Sequence, residues 1–229
     1  MVSSTIIAPA TAPGRGGISV VRISGPKSKT IAQELCGELG EPWKLKRCKI
    51  KSGKGAVLDT GLVVCFKSPH SYTGEDVAEI HCHGNPRLVD LVVAEGVSRG
   101  ARIAEPGEFT KRAYLNNKID LAQAESVADL ISAQTEEAVL AAQNSLSGKF
   151  SSDVNSSIDS LIASRVYVEA CLDFPEEDLG ADDLARIGSK INEHLSFVGA
   201  SLASAKKGAL VREGFGVAIV GPPNAGKST

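Results

Sequence analysis

Between Thr5 and about residue 118 the apolar residues fall in short runs broken by glycine and proline: TIIA, GISVVRIS, GLVVCF, EDVAEIHCH and LVDLVVAEGVSRGARIA. Runs of this length with turn residues between them predict a mixed α/β domain. In PRLVDLVVAEGVSRG, Leu88, Leu91, Val92 and Glu95 recur at helical spacing, Gly100 is placed to stop the helix, and a strand is expected after it. From Ile119 the texture changes. The stretch up to Pro175 has one glycine, Gly148, and no proline, and Leu121, Ala124, Val127, Ala128 and Ile131 share a 3.6-residue face, so long helices are expected. Gly148 marks either a helix break or an exposed, tolerated position. Leu184, Ile187, Ile191, Leu195, Val198 and Leu202 then step by three or four and predict an amphipathic helix ending near Lys206, Lys207 and Gly208. The closing run GVAIVG predicts one more strand. The boundaries this implies are 1–118 for an α+β domain, 119–208 for part of an all-α domain, and 209–229 for the start of a further α/β unit.

Polar residues interrupt the strand pattern at three places. Arg22 shares a period-2 face with Ile18, Val20 and Ser24, where an arginine is either a structurally paired ion or a ligand contact. In EDVAEIHCHG, alternation puts Val77, Glu79, His81 and His83 on one face and Ala78, Ile80 and Cys82 on the other, so one face is wet or ligated. His81 and His83, with Glu79 helping, would be the zinc ligands of a metalloenzyme reading; satisfied histidines on an exposed strand are the plainer alternative. Cys82 reads as a small core residue. Lys118 precedes the first long helix, with Asp120 as its cap or first-turn acid. EPGEFTKRAY just before it gathers Lys111 and Arg112 between Phe109 and Tyr114, a small basic cluster that is either surface or substrate path.

The last residues, GPPNAGKST, complete a G-x-x-x-x-G-K-[ST] phosphate loop from Gly221 to Ser228. Its glycines let backbone N–H groups curl around phosphate oxygens, while the lysine and hydroxyl reach phosphate and Mg²⁺. The loop normally opens a helix, and hydrolysis needs further acidic and water-positioning groups. Their lack in the sequence predicts a piece of a longer nucleotide hydrolase that does not itself bind nucleotide with useful affinity.

Composition adds bounds rather than a function. The chain is 42% hydrophobic and 23% charged, with net charge −2, which excludes a global basic field and leaves any nucleic-acid contact to a local patch. Five cysteines without a C-x-x-C pair suit reduced thiols. The start has no basic-then-apolar leader pattern, and no run approaches a membrane span, so a soluble cytoplasmic protein is expected.

Several stretches together resemble one family, the tRNA-modification GTPases MnmE (TrmE): APATAPGRGGISVVRISGP, SYTGEDVAEIHCHGNP, ARIAEPGEFTKRAYLNNKIDLAQAESVADLISAQT, VEACLDFPEE and LVREGFGVAIVGPPNAGKST. The resemblance covers essentially the whole chain. HCHGN, where the family usually has H-G-H-G-G, and Pro222, where arginine is common, are small departures. The resemblance implies an N-terminal domain similar to the tetrahydrofolate-binding fold of aminomethyltransferases, then a helical domain into which a GTPase domain is inserted. It also implies an aminomethyl-type modification at carbon 5 of the tRNA wobble uridine, made jointly with the flavoprotein MnmG (GidA) from a folate-borne one-carbon unit. Carried over by motif, Arg22, Glu79 and Lys118 would contact 5-formyl-tetrahydrofolate. Asn224, Ala225, Gly226, Lys227, Ser228 and Thr229 would hold GTP, with Ser228 on Mg²⁺ and Asn224 on K⁺. Members dimerise through the N-terminal domain, so a homodimer is implied. The helices from 119 to 206 would keep an apolar seam uncovered, with disorder or non-native pairing there. A dimerisation module with a vestigial folate pocket is the third reading, beside the zinc enzyme.

Overall fold

The computed structural model describes residues 4–173 and 181–213 and the single positions 218, 220 and 221. The chain divides into two compact units, one up to Ala124 and one from Glu125. The first contains strands β1 (Ile6–Pro9), β2 (Gly16–Ser24), β3 (Lys46–Lys51), β4 (Val57–Phe66), β5 (Val77–Gly84) and β6 (Arg102–Ile103), with helices α1 (Ser28–Cys36), α2 (Pro86–Ser98) and α3 (Glu108–Leu115). The six strands form one sheet in the order β3-β4-β5-β2-β1-β6. Only the β1–β6 pair is parallel; the other neighbours are antiparallel. This is the α+β domain expected from the broken apolar runs.

One face of the sheet is the core. Val21 and Ile23 of β2, Cys48 and Ile50 of β3, Val63 of β4, and Ala78, Ile80 and Cys82 of β5 pack against Ile31, Ala32 and Leu35 of α1 and Val89 and Val92 of α2. The expected helix α2 forms because Asn85 caps it, its side chain accepting from the N–H groups of Arg87 and Leu88, with Pro86 in the first turn where no donor is needed. Its buried face differs from the one expected. Val89, Val92 and Gly96 face the sheet, while Leu91 is 51% exposed. The cause is Gly96: a Cβ there would stand 2.3 Å from Cδ1 of Ile7, so the glycine sets where α2 closes onto β1. Gly100, at φ 96°, ends the helix, and β6 follows as expected.

α3 is fastened to the sheet by a buried ionic network. Arg112 is 8% exposed, and its Nη1 donates to both oxygens of Glu75 at 2.9 and 3.1 Å. Its Nη2 donates to Glu108 Oε1 at 3.0 Å and to the Ser4 carbonyl at 2.8 Å. Glu108 also accepts from Arg102, and Glu75 accepts from the hydroxyl of Ser24, which shares a 2.7 Å bond with Thr73. Arg112, which the sequence places in a basic cluster that is either surface or substrate path, is therefore a structural ion. The Arg102 guanidinium above all, with the Glu105 N–H and Arg112, holds the Glu108 carboxyl down to about 2 against the opposing effect of burial.

The second unit is helical: α4 (Leu121–Ser132), which spans the division between the units, α5 (Glu136–Leu146), α6 (Lys149–Asp173) and α7 (Ala181–Glu213). Asp120 does cap α4: its Oδ1 accepts from Gln123 N–H and Gln123 Oε1 accepts from Asp120 N–H, a reciprocal capping box. Gly148, at φ 80°, is a break between α5 and α6. α7 runs past Gly208 to Glu213, because the lysines are good helix formers and one glycine lowers helix propensity without providing a stop. Apolar side chains remain outward, with Ile131 81%, Leu140 56% and Leu195 65% exposed. Among the described residues of this stretch the helices are formed, with these apolar side chains left outward. Of the run expected as a final strand, Ala218, Val220 and Gly221 are among the described residues, and none of the three is in a strand. The phosphate-loop positions Asn224, Ala225, Gly226, Lys227, Ser228 and Thr229 lie outside the described residues.

Replacing Arg112 by methionine leaves the Glu75 carboxylate without its counter-ion and Glu108 with Arg102 alone, and is expected to lower stability by about 3 to 5 kcal/mol, measured by urea unfolding. Because the Glu108 pKa is depressed on folding, its contribution is complete above about pH 4.5 and disappears as pH falls toward about 2. That depression corresponds to about 3 kcal/mol, and an acid titration of wild type against Glu108→Gln should show the variant losing this pH dependence. Amides of α5 and α6 should exchange with solvent faster than those of β5, since the helices bury far less apolar area.

Candidate functional site

The sheet face opposite α1 and α2 carries the polar residues singled out in the sequence. Cross-strand partners share a face, and the register aligns Arg22 with Glu79 and Glu79 with Val64; one row on, Val20, His81 and Leu62 align. Arg22 Nε donates to Glu79 Oε1 at 2.8 Å, and both side chains are largely covered, 24% and 16% exposed. Glu79 Oε2 stands 3.6 Å from His81 Nε2, which is buried without a hydrogen-bond partner. The guanidinium carbon of Arg22 lies 5.0 Å from the ring centre of Tyr72 and 5.5 Å from that of Phe109, within cation–π range of both.

Those two rings come from the segments that Arg112 joins. Tyr72 is on the loop between β4 and β5 and Phe109 on α3, and the Tyr72 hydroxyl bonds Thr110 at 2.8 Å. The ion network beneath them therefore decides where the aromatic pair sits over Arg22. Of the five N–H donors of Arg22, only Nε is engaged by another described residue. Four N–H groups and one carboxylate oxygen are thus presented side by side under two aromatic rings. Such a set can hold a flat, polar heterocycle, accepting from ring N–H or amino groups and donating to carbonyl oxygens.

Lys118 reaches the same loop but not the pair. Its Nζ donates to the Pro69 carbonyl at 3.0 Å, and its stem lies against Gly74, where a Cβ would come within 3.1 Å of Lys118 Cγ and of Asn116 Cβ. Gly74 at φ 77° and Asn117 at φ 55° supply the two left-handed turns that bring these chains together. Asn116 ties the turn down by donating to the Thr73 carbonyl at 2.7 Å. Arg22 and Glu79 are thus in direct contact, while Lys118 belongs to the rim.

The zinc alternative gains nothing from the geometry. His83 turns to Asp59, whose Oδ1 lies 2.9 Å from Nδ1 and whose Oδ2 accepts from the His83 backbone at 2.9 Å. Burial of Asp59 opposes ionisation, but the bonds from His83 hold its pKa below the usual carboxylate value. Among the described residues no three His, Cys, Asp or Glu side chains gather in a metal-holding group. Cys82 is buried in the core as expected, and burial raises its thiol pKa; all five cysteines are free thiols. No helix among the described residues is long and apolar enough to cross a membrane. Tyr72 was the site's unforeseen part, and Phe109 and Arg112 were singled out only as members of the basic cluster; for the buried ion the i, i+4 pair Glu108 and Arg112 on a short helix was the one available signal.

Comparison with known proteins gives matches along both units. Residues 5–118 match the family model described as the GTP-binding protein TrmE N-terminus, and residues 121–216 match the MnmE helical domain. A protein of Saccharophagus degradans named tRNA modification GTPase MnmE is 45% identical over 227 residues, covering 99% of this chain and 50% of that one. Its namesake in Legionella pneumophila is 46% identical over 230 residues, covering 100% and 52%, and that of Hydrogenovibrio crunogenus 45% over 227, covering 99% and 50%. The chain spans about half the length of the curated relatives it matches. With both of the family's successive domains matched in order and this identity along its whole length, the chain belongs to the MnmE (TrmE) family.

Proposed function

We propose that this chain is the folate-binding and dimerising part of a GTP-hydrolysing tRNA modification enzyme. In this reading the whole protein, acting with the flavoprotein MnmG, adds a carboxymethylaminomethyl-type group to C5 of the wobble uridine. 5-Formyl-tetrahydrofolate or a related folate, when bound, supplies the one-carbon unit. The observation that carries the reading is the Arg22–Glu79 pair, set on an exposed sheet face beneath Tyr72 and Phe109 with donors and one carboxylate oxygen to spare.

The residues fit a pterin. Glu79 accepts from the 2-amino group and the neighbouring ring N–H, Arg22 donates to the ring carbonyl while its Nε–H bond holds the Glu79 carboxylate in place, and the two aromatic rings exclude water from these bonds. Lys118, on the rim, offers its ammonium to the carboxylates of the glutamyl tail. The orphaned Nε2 of His81 supports the same reading, since a buried ring nitrogen facing a carboxylate lacks a partner that a ligand donor or acceptor would supply. The nucleotide part rests on sequence: Lys227 on the β- and γ-phosphates, Ser228 on Mg²⁺, Asn224 on K⁺, and the N–H groups from Asn224 through Ala225, Gly226 and Thr229 around phosphate. Homodimerisation through the first unit is supported by apolar side chains left outward on its sheet, Ile18 at 68% and Leu62 at 38% exposed. The cytoplasm is the proposed compartment.

Calorimetric titration with 5-formyl-tetrahydrofolate should show one site per chain. Glu79→Gln keeps the shape but replaces one acceptor by a donor, and is expected to weaken binding by about tenfold or more, as a mispaired buried polar group costs about 1 to 3 kcal/mol. Equal binding by both proteins, or none by a folded wild type, removes the folate reading.

A further inference from the structure

The edge strand β3 has a composition unlike the rest of the chain. From Lys44 to Lys54 there are six cations and no acid, while the other 218 residues together carry a net charge of −8. Lys44 and Lys46 are taken up by Glu41 and Glu38. Arg47, Lys49 and Lys51 are exposed, alternate with buried Cys48 and Ile50, and make no ion pair among the described residues. Three cations thus stand in a row on one face of a strand, about 6.8 Å apart by strand geometry, an interval comparable with that between successive phosphates of a nucleic-acid strand. β3 is also the outermost strand, so one row of its backbone groups is unpaired by the sheet.

The same register links this row to the site. Arg47 aligns with Leu62, and Leu62 with His81, two residues from Glu79 on the same face. β3 and β5 are two strands apart, about 10 Å, within the span of one nucleotide extended from its backbone to its base edge. At the head of the strand Trp43 is 60% exposed, held at φ 67° in a T-shaped contact with Phe66, ring centres 4.7 Å apart. Edge lysines also discourage strand addition, but an exposed tryptophan beside them works against that purpose and instead offers a face on which a base can stack.

We propose that β3 is an RNA-docking edge: Arg47, Lys49 and Lys51 clamp consecutive phosphates of the tRNA substrate and Trp43 stacks on one of its bases, presenting a neighbouring nucleotide to the Arg22–Glu79 site. This rests on the tRNA-modification reading above. The site residues contact the folate; the β3 residues contact only the RNA.

The test is binding of an unmodified tRNA transcript to the intact chain by fluorescence anisotropy over a range of salt. Arg47→Gln/Lys49→Gln/Lys51→Gln is expected to weaken binding about tenfold or more at low salt and to reduce the slope of log K against log salt by about two. Trp43→Ala should weaken binding with the slope unchanged, because stacking releases no counterions. The charge-matched control Lys149→Gln/Arg165→Gln/Lys190→Gln, all exposed on the second unit, should keep the wild-type slope. Wild-type affinity and slope in the β3 triple variant, or an equal loss in the control, overturn the proposal. So does loss of binding to phosphatidylglycerol vesicles with tRNA binding intact, which would make the strand a lipid contact. Folate titration of the same samples separates the two readings. A wild type that binds folate but not tRNA sinks the β3 assignment alone, and one that binds tRNA through β3 but not folate sinks the folate reading alone.

Discussion

The burial of one guanidinium sets the rest. Arg112 lies inside the first unit between Glu75, on the loop after β4, and Glu108, on its own helix, and also reaches the Ser4 carbonyl ahead of β1. Desolvating these ions costs much of what their attraction returns, so the network is weak as a source of net stability. Its geometry is what matters. A planar fork with five donors can satisfy two carboxylates and a carbonyl in only one arrangement, and that arrangement fixes α3 against the loop. Tyr72 and Phe109 are carried on those two segments, so their placement over Arg22 follows from an interaction to which neither ring contributes.

From there the site is assembled by simple rules. Strand alternation places Arg22 and Glu79 on the uncovered face, and the β2–β5 register makes them direct neighbours. Because Nε alone is used in their bond, the pair remains open to a third partner, unlike the Arg112 cluster, where Nε and both Nη atoms are engaged. Two arginines a short distance apart in the fold therefore have opposite characters. One is saturated and structural, the other uses one of its five donors and lies beneath aromatic rings. The contrast is the physical ground for treating Arg22 as a ligand contact.

Much of this was legible in the sequence. Alternation in VAEIHCHG gave both faces of β5, including Cys82 in the core, and Asp120 as a cap or first-turn acid gave the start of α4. What was hidden depended on non-local partners. The basic look of TKRAY concealed a buried Arg112, because its two acids are 37 and 4 residues away and only the fold brings them together. Periodicity gave the helix α2 but not its buried face, which the close approach of Gly96 to Ile7 sets. The end of α7 was misjudged since Lys206, Lys207 and Gly208 are compatible with a C-terminus but do not compel one.

The near-neutral charge of the chain also hid something, for an opposite reason. Net charge averages over distances that electrolyte does not allow charges to feel: at about 0.1 M salt the screening length is about 10 Å. A polyanion approaching β3 senses the cations of that strand and little of the acidic remainder, whereas one approaching elsewhere meets a chain that is net −8 outside residues 44–54. Segregated charge of this kind orients an encounter rather than merely strengthening it. The sheet edge and the site share one face through a continuous register, so orienting the polyanion along β3 also orients what it carries toward Glu79.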